Sequence, residues 1–577
     1  MGRGEGWLSP VILFLLPLAA VLLIQALATS KTMLFMNISP QFLEAAFFLE
    51  LLLIVILILR DRPGIPPARW TLIAGLLFFA FALLYSAYYS IIYDDAFITY
   101  RYAHNLVAGH GLVFNPGEFV EGYSNLLWTL LLAILYFPLR WLGVQLPLIS
   151  LFLSFAALGV LVLVVRRIFI RNGFTHAPWY FLLLLGVNPF FAFWLYGGIE
   201  TIAVAALLMT GYWLILAERE RHLPVVGALL ILLRADGFVY YFLLLAVIVL
   251  DHLLLAGFNW ATVRELARRY WKALFIPVAV LLLQVGFRLL YYGYPLPNTF
   301  YAKVGSALTP RLANGLDYVM EFFSAGAWLF LSLLAIFALL EKRITKRFLL
   351  TPFLLLTNLY FIYLGGDSLI HFRFVTHVLP FYVLIAVWLL EFLAQQLNAR
   401  QLKLLLVPLL LSFFLMGGHN LYFSYRYQFK GWYPLEKKRE QYTIMATLGR
   451  YLSTHHHRAS IAMGAIGIIP YIATDMKVID ILGLVDTHTA HLPESRTDFH
   501  IGHNKWDIPY VLKQQPDFII PPAHFFDQHP GDNVRSDFLY GRDLFDSIEF
   551  HRDYKPSIKK IGPTYYLMFI RRDRSGW

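Results

Sequence analysis

Two adjacent aspartates, Asp94 and Asp95, open a polar loop directly after a hydrophobic run that ends at Tyr93. The loop reads DDAFITYRYAHNLVAGHGLVFNPGEFVEGYSN from 94 to 125. Adjacent carboxylates repel, which tends to raise one pKa and leave a proton acceptor near neutral pH. Ionisable groups near a bilayer are costly and usually functional. The pair therefore indicates acid–base chemistry at the edge of a membrane.

Other acids and bases fall in short polar segments between later hydrophobic runs. These segments are YGGIET (196–201), RADG (234–237), YYGYPLPNTFYAK (291–303) and GGDSLIHFRF (365–374). Each lies near a predicted membrane boundary, so we expect the segments to line one outward-facing cavity. A solvated loop charge or a snorkelling side chain is the alternative for any single residue. The substrate-binding candidates in the loops are His104, His110, Glu121, Glu200, Arg234, Asp236, Asn298 and Asp367.

The composition is that of a polytopic membrane protein. Of 577 residues, 59% are hydrophobic and 14% charged, whereas soluble domains have roughly 45–50% apolar and about 25% charged residues. The absence of cysteine excludes disulfides and thiolate chemistry. The net charge is +11. The basic residues fall in short clusters between apolar runs, which is the positive-inside pattern. We therefore expect a lipid bilayer as partner and no nucleic acid.

The alternation of apolar runs and basic clusters predicts a topology of about thirteen transmembrane helices. The first runs begin near Trp7, Phe42 and Trp70, and the first is too long for a cleaved signal. Residues 125–142 are predicted as a juxtamembrane helix at the outer face and 147–165 as the next span. The N-terminus is then cytoplasmic and the C-terminus outside. Residues 1–420 form the predicted transmembrane domain, with 94–146 as its first large outer loop.

The tail, 421–577, is predicted to be an extracytoplasmic α/β domain. Its short apolar stretches lie at 459–473, 477–483, 516–522 and 565–572, and their pattern favours strands and short helices. MGAIG (463–467) is an incomplete dinucleotide fingerprint and is better explained as strand-to-helix packing. The GHNKWD segment (502–507) contains His503 and Lys505, and we interpret it as a loop reaching toward the outer-loop cavity.

Together these motifs resemble the GT-C superfamily of polyprenyl-phosphate-sugar-dependent glycosyltransferases. The first loop, with GGIET, RADG, PLPNTFYAK, GGD followed by HFRF, and GHNKWD in order, looks like the family of the mycobacterial terminal arabinofuranosyltransferase. The resemblance covers about residues 90–520. It implies a GT-C fold and transfer of arabinofuranose from a polyprenyl-phosphate donor to an envelope glycan or glycoprotein. The implied location is the outer side of a bacterial inner membrane.

The resemblance also assigns catalytic roles. The family's catalytic acid corresponds to Asp94, with Asp95 as its neighbour, acting as a base, as a nucleophile or in a front-face attack. Cationic side chains are expected to bind the donor phosphate, because guanidinium forks match phosphate geometry. The candidates are Arg373, His371, Lys303 and Arg101.

No cofactor is required by these motifs. The outer loops show no tight His/Asp cluster at metal-ligand spacing, although a divalent cation is an alternative means of stabilising the leaving group. Three other functions stay open: transfer of a polyprenyl-phosphate hexose or aminoarabinose, non-enzymatic carriage of lipid-linked sugars, and a scaffold that docks a partner.

Overall fold

The computed structural model of the chain describes most residues from 91 onward. The described ranges are 91–171, 177–186, 188–303, 308–325, 329–345, 348–396, 435–495, 502–522, 524–531, 534–536 and 538–574. The predicted spans near Trp7, Phe42 and Trp70 lie outside them, as does the predicted domain boundary at 420/421.

The described chain up to residue 396 is mostly helical. Its helices are α1 Asp94–Val107, α2 Leu126–Leu139, α3 Leu146–Arg171, α4 Ala177–Gly186, α5 Pro189–Tyr196, α6 Thr201–Leu216, α7 Leu223–Leu233, α8 Gly237–Ala256, α9 Trp260–Tyr291, α10 Asn298–Lys303, α11 Leu308–Ala325, α12 Leu329–Thr345, α13 Leu350–Leu364, α14 Arg373–Thr376 and α15 Leu379–Gln396. Their apolar side chains build one continuous core that includes the buried Trp128, Trp194 and Trp388.

Several of these helices are suited to a membrane. Within the described ranges, α3, α8 and α9 are long and apolar enough to span a bilayer. Residues Phe190–Tyr196 and Thr201–Leu216 qualify as a pair that is bent by 115° at the GGIE turn. The helix Leu126–Leu142 is apolar but shorter, and its juxtamembrane position stays a prediction. The molecule is a membrane protein with several apolar helices, and the count of thirteen spans stays a prediction.

The bend between α5 and α6 supports the helix that carries the two aspartates. The Tyr93 N–H donates to Gly197 O at 3.1 Å, and Tyr100 Oη donates to Gly198 O at 3.1 Å. Gly198 has a φ of +82°, and a Cβ there would lie 2.3 Å from Tyr100 Oη. Glycine therefore allows the turn to pack against the start of α1.

The described C-terminal part combines helices with a mixed sheet. Its elements are α16 Leu435–His455, β1 Ser460–Met463, α17 Ile468–Ile472, β2 Lys477–Asp480, α18 Thr487–Ala490, α19 Ile508–Lys513, β3 Phe518–Ile519, β4 Phe525–Phe526, α20 Gly541–Asp546, α21 Ile548–Asp553, β5 Tyr554–Ile561 and β6 Thr564–Arg571. The sheet order is β2-β1-β3-β6-β4, with β5 paired to β6. The β1 strand runs parallel to β2 and β3, whereas β6 is antiparallel to its neighbours.

The C-terminal part contacts the first loop closely. The Asn115 side chain donates to Val478 O at 2.7 Å and accepts from Val478 N–H at 3.1 Å. The Asn115 side chain thereby pairs the backbone N–H and carbonyl of Val478 on the edge strand β2, which blocks strand pairing at this position. The two parts share one hydrophobic core, so the loop that carries the aspartates lies between the helices and the sheet.

Candidate functional site

Asp94 and Asp95 form the first turn of α1 and are half-buried. The Asp94 backbone N–H donates to Tyr442 Oη at 3.2 Å. One carboxylate oxygen, Asp94 Oδ1, accepts from the Ile468 N–H at 2.8 Å. Burial raises the pKa of Asp94 to about 6, and the charge of Asp95 acts in the same direction. A carboxyl group with this pKa is poised to accept a proton near neutral pH.

Lys438 is a cation whose charge acts on Asp94. It is half-buried on α16, with Nζ 5.8 Å from the Tyr93 ring centre and 5.4 Å from the Tyr442 ring centre. Burial lowers the pKa of Lys438, while the charges of Asp94 and Asp95 raise it. The ammonium group therefore belongs to the same electrostatic cluster as the two acids.

Lys303 approaches the pair from the end of α10. Burial lowers the pKa of Lys303, whereas the charges of Asp95 and Asp367 raise it. Its aliphatic stem lies against Gly502, where an added Cβ would lie 3.4 Å from Lys303 Cε. The GHNKWD segment thus reaches Lys303, and its extension toward a substrate cavity stays a prediction.

Two arginines complete the cationic side. Arg373 makes a two-pronged ion pair with Asp367, with distances of 2.8 and 3.0 Å. Arg234 pairs with Asp236 at 2.7 Å and with Glu200 at 2.9 Å. Both guanidinium groups contact the Phe374 ring, with centroid distances of 5.0 Å for Arg373 and 5.4 Å for Arg234.

The carboxylates hold these two guanidinium groups in place. The Arg373 and Asp367 side chains are 13% and 3% exposed, and Glu200 also accepts from Asn125 Nδ2 at 2.7 Å. Charge-assisted forks of this kind are geometrically specific. The charges of Asp95, Asp367, Arg373 and Arg234 all act on Lys303, and those of Asp94 and Asp95 act on Lys438. The structure therefore brings the first loop, GGIET, RADG, the end of α10 and GGD…HFRF to one cluster, which we call the acid–cation cluster: Asp94, Asp95, Glu200, Arg234, Asp236, Lys303, Asp367, Arg373 and Lys438.

Arg101 lies elsewhere, although it was a phosphate-binding candidate. Its side chain is 0% exposed. The guanidinium donates to Asn115 Oδ1 and to the backbone carbonyls of Phe114, Pro470, Ala473 and Met476. A guanidinium that is shared among carbonyls on both sides of a buried junction holds the first loop to the C-terminal part, and we assign Arg101 that structural role.

Three other candidates also connect elements. Glu121 pairs with Arg288 on α9 at 2.8 Å, and both side chains are 3% exposed. The Asn298 amide donates to Gly483 O at 2.8 Å and to Leu484 O at 3.1 Å. The Lys505 ammonium group donates to Tyr301 O at 2.8 Å and to Ala490 O at 2.9 Å. Asn298 and Lys505 fix α10 against the C-terminal part, whereas Glu121 fixes the first loop to α9.

The histidine candidates are spread out. His371 is fully buried, its ring lies 4.3 Å from that of Phe193, and burial lowers its pKa to about 3, so it is neutral. His104 lies ten residues along α1 from Asp94, about 15 Å at 1.5 Å per residue. His110 is exposed beyond the end of that helix, and His503 is exposed in the GHNKWD segment.

Lys438, Tyr442, Gly467 and Ile468 are absent from the set of candidates that the sequence suggests. They surround Asp94 from the C-terminal part, 344 or more positions away in the chain, so spacing alone does not reveal them. The one local signal is MGAIG, whose last glycine packs directly against Asp94. Within the described ranges, no group of three or more His, Cys, Asp or Glu side chains is arranged to hold a metal ion.

Comparisons with known proteins agree with this fold. Residues 430–569 match a family profile described as "Domain of unknown function (DUF8728)". The "Terminal beta-(1->2)-arabinofuranosyltransferase" of Mycobacterium tuberculosis (strain ATCC 25618 / H37Rv) is 30% identical over 246 residues, which are 40% of this chain and 37% of that protein. The aligned segment thus spans little more than a third of this relative.

Two solved structures cover most of the chain. ArnT from Cupriavidus metallidurans in the apo state matches with a TM-score of 0.52 and 13% identity, over 86% of this chain and 97% of ArnT. The same protein bound to undecaprenyl phosphate matches with a TM-score of 0.50 and 13% identity, over 87% of this chain and 98% of ArnT. The chain therefore has an ArnT-like fold and is distantly homologous to a mycobacterial terminal arabinofuranosyltransferase.

Proposed function

We propose that this protein is a GT-C membrane glycosyltransferase that transfers arabinofuranose from a polyprenyl-phosphate donor to an envelope glycan or glycoprotein. The observation that carries the proposal is the acid–cation cluster. In it the charges of the half-buried Asp94 and Asp95 act on Lys438, that of Asp95 acts on Lys303, and Arg373 is held by Asp367. Such a site accepts a proton on one side and neutralises a phosphate on the other. ArnT, whose fold this chain shares, has been solved with undecaprenyl phosphate bound.

In the first form of the mechanism, Asp94 is the general base. The acceptor oxygen bonds to the anomeric carbon, and the bond from that carbon to the phosphate oxygen breaks with its electron pair on the phosphate. The hydroxyl proton goes to Asp94 Oδ2, since Oδ1 is held by the Ile468 N–H. Lys303, Lys438 and Arg373 stabilise the departing phosphate through charge-assisted hydrogen bonds.

In the second form, Asp94 is a nucleophile. Its carboxylate bonds to the anomeric carbon as the phosphate leaves with the electron pair of its bond, which gives a glycosyl ester. The acceptor hydroxyl oxygen then bonds to that carbon, Asp94 leaves as a carboxylate, and the hydroxyl proton goes to Asp95. The choice between the two forms determines whether the linkage inverts or retains the donor configuration. Inversion in an NMR analysis of the product's anomeric configuration would indicate in-line attack with Asp94 as base, whereas retention would indicate the nucleophile or a front-face attack.

The proposed setting is a bacterial inner membrane, with thirteen spans, a cytoplasmic N-terminus and residues 421–577 outside. Apolar helices α3, α8 and α9 support membrane insertion. The acid–cation cluster lies where the first loop meets the C-terminal part, so donor and acceptor would meet above the membrane.

A donor panel tests the proposed function. Purified protein in nanodiscs is incubated with polyprenyl phosphates that carry radiolabelled arabinofuranose, a hexose or aminoarabinose, together with an envelope glycan extract. We expect transfer from the arabinofuranose donor. Transfer from the hexose or aminoarabinose donor alone would change the assigned sugar but support the assigned enzyme class. Neither binding nor transfer with any of the donors would contradict the proposal.

A further inference from the structure

The loop after β1 passes directly over Asp94. A Cβ at Gly467 would lie 2.1 Å from the Asp94 carbonyl oxygen and 2.5 Å from both its Cγ and its Oδ1. Real Cβ atoms do not approach other atoms this closely, so no other residue type fits there without a shift of the loop or of Asp94. Gly467 therefore permits a backbone contact with the acid.

That contact places a hydrogen-bond donor on the carboxylate. Ile468 is the first residue of α17, and its N–H donates to Asp94 Oδ1 at 2.8 Å. On the other side, Tyr442 Oη accepts from the Asp94 N–H at 3.2 Å. Both the main chain and the side chain of Asp94 are thus held by the C-terminal part of the protein.

We propose that the C-terminal part completes the catalytic centre, with Gly467 and Ile468 as positioning residues that orient the Asp94 carboxylate. This inference rests on the proposed function. A carboxylate with one oxygen fixed presents the other in a defined direction, and errors of about 1 Å in such placement cost on the order of 100-fold in rate. The sheet region is therefore required for chemistry as well as for stability.

The groups that face Asp94 come from three elements. Asp95 shares its helix, Lys438 and Tyr442 approach from α16, and the Ile468 N–H comes from α17. A hydrogen bond donated to a carboxylate favours its charged form. Loss of the Ile468 bond is therefore expected to move the ionisation of Asp94 to higher pH, an effect that a purely structural role does not produce.

The test compares Ile468→Pro with Ile468→Ala in the full-length protein. Both variants remove the buried side chain, but only proline removes the N–H, and proline is tolerated at the first position of a helix. We expect kcat for Ile468→Pro to be at least about tenfold below that of Ile468→Ala, with an unchanged donor KM and an acidic limb of the pH profile at higher pH. Equal kcat values and equal pH profiles would overturn the proposal.

A second pair keeps the test decisive where Ile468→Pro does not fold. Gly467→Ala places a methyl group against Asp94, whereas Gly464→Ala, in the same loop, meets the Leu482 and Tyr540 side chains at 3.0 Å. We expect only Gly467→Ala to lose kcat and shift the pH profile. Equal behaviour of the two alanine variants would contradict the inference.

The Asp94→Asn variant separates the two levels of the argument. If Asp94→Asn is inactive while the two variants within each pair have equal kcat values and pH profiles, the positioning role fails and the proposed function stands. If Asp94→Asn retains full activity, the proposed function itself fails.

Discussion

Asp94 and Ile468 lie 374 positions apart in the chain, and the Ile468 N–H donates to the Asp94 carboxylate at 2.8 Å. The acid at the start of the first loop is therefore oriented by a segment that lies much later in the sequence. Burial raises the pKa of this acid to about 6, while the Ile468 hydrogen bond and the charge of Lys438 lower it. The pKa of Asp94 therefore depends on groups from both the first loop and the C-terminal part.

The pH dependence of transfer follows from that ionisation. Either as base or as nucleophile, Asp94 must be charged, so kcat/KM is expected to rise with pH through about 6 and to fall about tenfold per pH unit below it. Asp95→Asn removes a like charge that raises this pKa, so its remaining activity should show the limb at lower pH. A flat profile between pH 4.5 and 7.5 in the wild type would contradict the assignment.

Lys438 is expected to bind donor phosphate. Replacement Lys438→Met removes a charged hydrogen-bond donor worth about 1.5–3 kcal/mol, so the Kd for the polyprenyl-phosphate sugar should rise about 10–150-fold. Lys438→Arg should restore part of the affinity because the charge is retained. Lys513→Met, at an exposed position on α19, is the matched control, and equal donor affinity in the two methionine variants would exclude this role.

Arg101 is expected to hold the first loop to the C-terminal part. Arg101→Met leaves buried carbonyls of Phe114 and Met476 without their donor, at a cost of about 1–3 kcal/mol each. Thermal unfolding should occur at a lower temperature, and limited proteolysis should release the C-terminal part more readily. Arg140→Met, which removes a more exposed guanidinium near the other end of α1, provides the comparison; a variant at Arg101 as stable as this control would disprove the role.

The sequence predicts the polar segments of the cluster but not the residues of the C-terminal part that contact Asp94. Asp95, Lys303 and Arg373 each lie near a predicted membrane boundary, and convergence of such segments follows from placing all of them on the outer face. The same reasoning could not tell Arg101, which donates to carbonyls inside a junction, from Arg373, which faces Asp367 in the cluster. Both are arginines in polar loops, and only tertiary contacts separate them.

The sheet region shows a similar division. The apolar runs at 459–473, 477–483, 516–522 and 565–572 contain or overlap β1, β2, β3 and β6, because buried strands read as short hydrophobic runs. The β5 sequence YKPSIKKI is charged and half-exposed, so its pairing with β6 was not evident. The sequence alone does not predict the roles of Lys438 and Tyr442, because these depend on a helix that packs against Asp94 from 344 or more positions away.

The predicted orientation of the chain can be tested because the sequence has no cysteine. His529→Cys, at an exposed position in the C-terminal part, should react with a membrane-impermeant maleimide in intact cells whose outer membrane has been made permeable. Arg268 is exposed on α9 and belongs to the basic cluster Arg264, Arg268, Arg269 and Lys272, which the positive-inside pattern predicts to be cytoplasmic. Arg268→Cys should therefore react only after the inner membrane is disrupted. The reverse labelling pattern would place the proposed active site on the cytoplasmic side of the inner membrane and contradict the predicted orientation.

The most direct test of the central claim is transfer of radiolabelled arabinofuranose from a synthetic polyprenyl-phosphate donor by wild-type and Asp94→Asn protein, with donor binding measured in parallel. The two side chains have nearly the same shape, so the substitution changes charge and basicity at one position. We predict that both proteins bind the donor and that the transfer rate of the variant is about 10²–10⁴-fold lower than that of the wild type. Undiminished transfer by Asp94→Asn would contradict the claim that this carboxylate performs the chemistry.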